Sequence, residues 1–154
     1  MPRPDAICYL VRHADAGARG VVDDAQRALS KKGRAQSERI ATYLQDAAIA
    51  EIVSSPYTRC VETVTPLSMT IGIGIALDDS LGEGAGPGPA IERIEAISTP
   101  TVMCSHGDVI GEVMALLARR GIDLDSDRLA KASTWELTVA GGAITGAHYV
   151  PPPT

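Results

Sequence analysis

Ala6-Ile7-Cys8-Tyr9-Leu10-Val11-Arg12-His13 and Thr101-Val102-Met103-Cys104-Ser105-His106-Gly107 share one design: a short, mostly apolar run that stops at a histidine. Such a run is too brief for a helix and suits a fully buried strand. Strands buried on both faces belong to parallel sheets covered by helices. In open sheets of that kind, sites form outside the carboxyl ends of the strands. Both histidines are therefore expected at one sheet edge, and pairing of the two strands would let them converge.

Outward from these runs, strands alternate with helices. Residues 51–54 read as another short strand, and 71–77 as a third whose start is interrupted by Gly72 and Gly74. Ser30 is placed to cap a helix over 31–46 with Ile40, Leu44 and Ala47 on its apolar face. Gly33 weakens that helix, since an interior glycine costs about 1 kcal/mol relative to alanine. Ser55-Pro56 reads as a cap followed by proline at the first helical position, opening a helix to 64 that Pro66 kinks or ends. Further helices are expected over 90–97 and 109–120, and Gly121 closes the second. Residues 133–139 and 143–150 alternate around Gly141-Gly142 as a hairpin, while 14–28 and 82–89 read as loops. This order predicts an α/β fold, a three-layer αβα sandwich whose mainly parallel sheet has an antiparallel edge. With no internal repeat and no dividing linker, residues 1–154 are expected to form a single domain.

Composition narrows the class. At 154 residues, 45% apolar and 21% charged, the chain has globular proportions. A chain this long buries roughly 70% of its unfolded surface, so its core requires no disulfide or metal. That core is aliphatic, because Phe is absent and Trp occurs once. Fourteen Lys and Arg against 19 Asp and Glu give a net charge of −5. This sign argues against nucleic-acid and anionic-membrane binding, which work through basic patches, and leaves room for a small cationic pocket. No apolar run reaches the ~18 residues of a membrane helix. Met1-Pro2-Arg3-Pro4-Asp5 leads into the first strand without a secretory apolar segment. Cys8, Cys60 and Cys104 are odd in number, which reads as free thiols in a reducing cytoplasm.

Arg12 precedes His13, and Arg59 lies a turn into the helix after 51–54. Two histidines and two arginines at one sheet edge make a concentrated cationic site in an acidic protein. A phosphoryl group suits it, because Arg forks two donors onto phosphoryl oxygens. Other chemistries fail on spacing. A Cys-x5-Arg phosphatase is excluded because Ala14, Pro66 and Ile110 stand six residues after the cysteines. There is no Gly-x4-Gly-Lys-Ser/Thr phosphate loop. Asp123-Leu124-Asp125-Ser126-Asp127 has Arg128 where a calcium loop needs Gly and Thr134 where it needs Glu, so it reads as a polar connection. The three histidines lack the close spacing of metal ligands.

Four segments carry a wider likeness: Leu10-Val11-Arg12-His13-Ala14, Leu29-Ser30-Lys31-Lys32-Gly33-Arg34-Ala35-Gln36, Ser54-Ser55-Pro56-Tyr57-Thr58-Arg59-Cys60-Val61-Glu62-Thr63 and Cys104-Ser105-His106-Gly107. In this order they resemble the histidine phosphatase superfamily, the phosphoglycerate-mutase-like fold. They match its Arg-His-Gly strand end, its Leu-Thr-x-x-Gly helix start, its Ser-Ser-Pro-x-x-Arg-x-x-x-Thr element and its second histidine. The short chain is similar to small bacterial phosphohistidine phosphatases. Lys131-Ala132-Ser133-Thr134-Trp135-Glu136-Leu137 is similar to the histidine phosphatase domain of some MutT-type Nudix hydrolases, although no Nudix segment is present here.

The resemblance implies a metal-independent, cofactor-free phosphatase that hydrolyses phosphomonoesters through a phosphohistidine on His13. Arg12, Arg59 and His106 would hold the phosphoryl oxygens. Asp78-Asp79-Ser80-Leu81-Gly82-Glu83 resembles the family's Leu-x-Glu segment and makes Glu83 the candidate acid and later base, with Asp15 and Asp108 in reserve. The implied partner is a small phosphorylated substrate or, alternatively, a phosphohistidine protein. A catalytically weak phospho-ligand-binding module is the reading from another class, and oligomeric state is not legible. The chain also departs from the pattern. Ala14 replaces the Gly after the nucleophile, and Arg19 stands where many members carry Asn. Arg27, Lys31, Lys32 and Arg34 read as a solvated helix start.

Overall fold

The computed structural model describes residues 5–154. In chain order the elements are β1 (Ala6–Arg12), α1 (Lys31–Leu44), β2 (Glu51–Ser54), α2 (Thr58–Ile71), β3 (Ile75–Leu77), α3 (Pro87–Glu95), β4 (Thr101–Ser105), α4 (Gly107–Arg119), β5 (Thr134–Ala140) and β6 (Ala143–Val150). One sheet runs β3-β2-β4-β1-β5-β6. Its first four strands are parallel, β5 is antiparallel to β1, and β6 is antiparallel to β5, so the expected antiparallel edge is present.

The two-residue period of each short strand decides the layering. Cys8 and Leu10 of β1, Val53 of β2 and Met103 of β4 pack with Ile91 and Ile94 of α3 and Val113 and Leu117 of α4. Their neighbours Tyr9, Val11, Ile52, Val102 and Cys104 pack with Ile40 and Leu44 of α1 and Val64 and Leu67 of α2. Helices therefore cover both faces, giving the three-layer αβα arrangement. β1 and β4 are adjacent, yet the chain leaves β1 towards the α1 face and β4 towards the α4 face. A crevice opens where neighbouring strands diverge in this way. His13 and His106 follow directly at its edge.

Several boundaries differ from the sequence reading. Ser55 does not cap α2, which starts at Thr58; its Oγ lies 2.8 Å from His106 Nε2 and accepts from Tyr57 N at 3.3 Å. Pro66 neither ends nor heads that helix. α2 runs through it, because buried Val64 and Leu67 anchor the helix while the amide bond lost at Pro66 falls on a partly exposed face. The strand expected over 71–77 shrinks to Ile75–Leu77, since Ile71 completes α2 and Gly72 closes it at φ 73° with its N–H donating to Ser68 O at 2.9 Å. α3 begins three residues earlier than expected, behind Gly86 at φ 82°.

Candidate active site

His13 leaves the end of β1 and is held by main chain on both sides. Its N–H donates to Ser105 O at 3.1 Å, and the following Ala14 N–H donates to Thr63 Oγ1 at 2.9 Å. The ring Nδ1 lies 2.8 Å from Ala14 O. A carbonyl only accepts, so Nδ1 carries the proton and Nε2 keeps its lone pair. Nε2 has no partner among the described residues. Burial pushes the imidazole down to about 4, and the charges of Arg59, His106 and Arg12 add to burial against the bond to Ala14 O. His13 is thus neutral at pH 7. Ala14 is fully buried and fits without left-handed backbone, since Ala48 and Ala132 are the described non-glycine residues with positive φ.

His106 follows β4 and precedes α4. Its ring stands edge-on to His13, with centroids 5.5 Å apart, and edge-on to Tyr57 at 4.8 Å. Ser55 Oγ and Cys60 Sγ, at 2.8 and 3.5 Å, fix Nε2, whereas Nδ1 is buried without a partner among the described residues. The β2–β4 pairing puts Ser55 there, because Ser54 lies opposite Cys104 and Ser55 N–H donates to Cys104 O at 3.0 Å.

The two arginines close the ring of donors. Arg12 Nη1 donates to Leu129 O at 2.6 Å, and its Nε is buried without a partner among the described residues. Its guanidinium lies over the backbone of Gly107, where a Cβ would sit 2.9 Å from Cζ, so a larger residue there would push the guanidinium out of its place. Arg59, 1% exposed, stacks on the Tyr57 ring with Cζ 5.0 Å from the centroid. It donates to Asp24 O at 2.8 Å, Asp24 Oδ2 at 3.2 Å and Glu83 Oε2 at 3.1 Å.

A cavity of about 310 Å³ opens onto this group, bordered by Arg12, His13, Arg59, His106 and Glu83. Arg19, Arg27 and Lys131 lie on its wall as well. The five site residues expected from the sequence are therefore together. Asp108 is on the wall, but its Oδ2 accepts from Gly84 N at 2.8 Å, which ties the Glu83 loop to α4. Asp15 is turned aside: it accepts from Ser30 Oγ at 2.6 Å, and that bond first, then Lys131 and Lys32, hold its carboxyl below the usual range.

Sequence reasoning missed some of the site. Arg27 is not part of a solvated helix start but 7% exposed, with Nε 3.2 Å from Asp24 Oδ1 and Nη1 donating to Gly17 O at 2.9 Å. Lys31, Lys32 and Arg34 are exposed as expected. Asp24 went unread. Burial works against its ionised form, yet Arg59, Glu83 and Arg27 hold it below the usual carboxylate range. The i, i+3 spacing of Asp24 and Arg27 was a readable local signal, but their convergence on Arg59 depends on the fold. Tyr57, at an unspecified position of its motif, left no signal.

A profile of the Histidine phosphatase superfamily (branch 1) matches residues 8–87. The chain belongs to that superfamily. It is 31% identical over 153 residues to an 8-oxo-(d)GTP phosphatase of Mycolicibacterium smegmatis, covering 94% of this chain and 48% of that protein. The chain thus spans about half the length of this curated relative. Among solved structures, the protein histidine phosphatase SixA complexed with tungstate superimposes with a TM-score of 0.76 at 18% identity, covering 94% of each chain. A mycobacterial glucosyl-3-phosphoglycerate phosphatase gives 0.66 at 17% identity, with full coverage of both chains. At such identities these two likenesses establish the fold alone.

Proposed function

We propose that this histidine phosphatase superfamily member hydrolyses phosphomonoesters through a phosphohistidine on His13. The observation that carries the reading is the state of His13: neutral, its tautomer fixed by Ala14 O, and its Nε2 free beside two arginines. Arg12 Nε, Arg59 Nε and, when Nε2 accepts from Ser55 Oγ, His106 Nδ1 are buried donors without partners among the described residues, on three of the residues surrounding it. Buried polar groups are almost always paired, and orphans concentrate where a ligand supplies the missing atom. Phosphoryl oxygens, which are acceptors only, supply it for all three.

In the first step Nε2 attacks phosphorus as the P–O bond to the leaving group breaks. The charge on the equatorial oxygens is held by Arg12, Arg59 and His106. As the phosphoryl group takes up the fork of Arg59, Glu83 is freed from it, takes up a proton from solvent and gives it to the leaving oxygen. In the second step Glu83 takes a proton from water as its oxygen bonds to phosphorus; the P–Nε2 bond breaks, inorganic phosphate leaves and the neutral His13 ring is regenerated. The complete set of donors around His13 weighs against a binding module without turnover. Three buried free thiols fit a reducing compartment, and we place the enzyme in the cytoplasm.

The assignment of Glu83 is tested by leaving-group dependence. General-acid assistance is worth ~10²–10⁴-fold. Glu83→Gln should lose about that factor in phosphorylation by alkyl phosphates and far less with nitrophenyl phosphate, whose phenolate departs unaided. Equal small losses on both would reduce Glu83 to a loop carboxylate.

A further inference from the structure

The cavity is larger and more cationic than one phosphoryl group needs. Its volume of about 310 Å³ is that of a pocket for a whole small molecule. Beyond Arg12, Arg59 and His106, its wall carries Arg19, Arg27 and Lys131. These come from separate segments. Arg19 and Arg27 belong to an excursion whose neck is closed by the Ala16–Leu29 bridge and the Gly17 N–H to Ala28 O bond at 2.9 Å, and Lys131 precedes β5.

Arg27 is a built feature. Arginine is rarely buried this deeply unless paired, and this one is anchored by Asp24 and Gly17 O through Nε and Nη1. Its Nη2 has no partner among the described residues, nor does any donor of Arg19. Lys131 shares a 3.5 Å contact with Asp15. Asp24 and Asp15 thus steady two of the three cations, and Arg19 has no ion-pair partner among the described residues, on the wall of a protein whose net charge is −5.

We infer that Arg19, Arg27 and Lys131 form a second anion-binding subsite, so that the preferred substrate is a phosphomonoester whose leaving group carries another anionic group. The inference rests on the reading of the cavity as a phosphoryl-transfer site. The second anion, a phosphate or a carboxylate, meets Arg27 Nη2 and Arg19 while the transferred group meets Arg12 and Arg59. Charge-assisted contacts of this kind are worth about tenfold or more in affinity.

The test compares nitrophenyl phosphate, propyl phosphate, 1,3-propanediol bisphosphate and 3-phosphooxypropanoate as substrates of the wild type and of the Arg19→Gln/Lys131→Gln double variant. The wild type should prefer at least one of the two substrates with a second anion over propyl phosphate by about tenfold in kcat/KM, and the better of the two identifies that anion. The ratio of kcat/KM for that substrate to kcat/KM for nitrophenyl phosphate should fall about tenfold in the double variant, through KM. No preference in the wild type, or an unchanged ratio, would overturn the subsite while leaving the phosphatase reading intact. Failure of the wild type to turn over nitrophenyl phosphate would instead sink the phosphatase reading. Calorimetric binding of the bisphosphate to the His13→Ala protein reads the subsite without turnover: adding the two Gln substitutions should weaken it about tenfold, and equal affinity would contradict it.

Discussion

His13 carries opposing demands. In the mechanism proposed above it is buried among cations so as to attack phosphorus as a neutral imidazole, and that burial costs stability in acid. Its ring is pulled to about 4, by burial first and by Arg59, His106 and Arg12 after it, whereas in the unfolded chain it titrates near ~6.5. A depressed folded value gives stability that is whole above the unfolded value and is lost as pH falls through the folded one. Stability should therefore drop between about pH 6.5 and 4 by on the order of 3 kcal/mol from this residue. Urea unfolding of wild type and His13→Gln across that range checks it: the variant should show a shallower decline, and identical slopes would contradict it. At this scale the placement of residues was legible where a residue type coincides with a strand end, as for Arg12, His13 and His106, or with the first turn of the helix after a strand, as for Arg59. It was silent on Asp24 and Tyr57, whose roles arise from partners brought together only in the fold.

Gly33 reverses its sequence reading at the scale of an element. It looked like a weak point in α1, yet a Cβ there would sit 1.9 Å from Asp15 O. The first turn of α1 packs directly on the loop after His13, with Ser30 Oγ accepting from Gly33 N at 3.0 Å and Ser30 N–H donating to Asp15 O at 3.0 Å. Gly33→Ala should therefore lose about 1–3 kcal/mol through overpacking, rather than gain the ~1 kcal/mol that helix propensity promises. Thermal unfolding decides between the two signs. The element order and β2, β4 and the β5–β6 hairpin were legible because short apolar runs and Gly141-Gly142 act locally. The errors fell where side chains serve the site or the packing instead of the local element: Ser55 turned to His106, Pro66 carried through by buried neighbours, and Gly72 closing a helix.

On the scale of the whole molecule, the adjacency of β1 and β4 makes one site of two distant segments, and sequence alone made that convergence conditional on their pairing. An oxyanion binding across that seam should stabilise the entire fold. Vanadate at a hundred times its Kd adds about 2.7 kcal/mol, which for a chain of this size is roughly 5–10 °C in Tm. Arg59→Lys, which lacks the fork, should lose most of the shift; an equal shift in both proteins would place the anion elsewhere. The central claim is covalent and is met most directly by trapping. Protein quenched during turnover of a ³²P-labelled phosphomonoester should carry label that is acid-labile and base-stable, confined to the peptide containing His13, and absent from His13→Ala. Label that survives acid, label on another peptide, or turnover retained by His13→Ala would contradict the account.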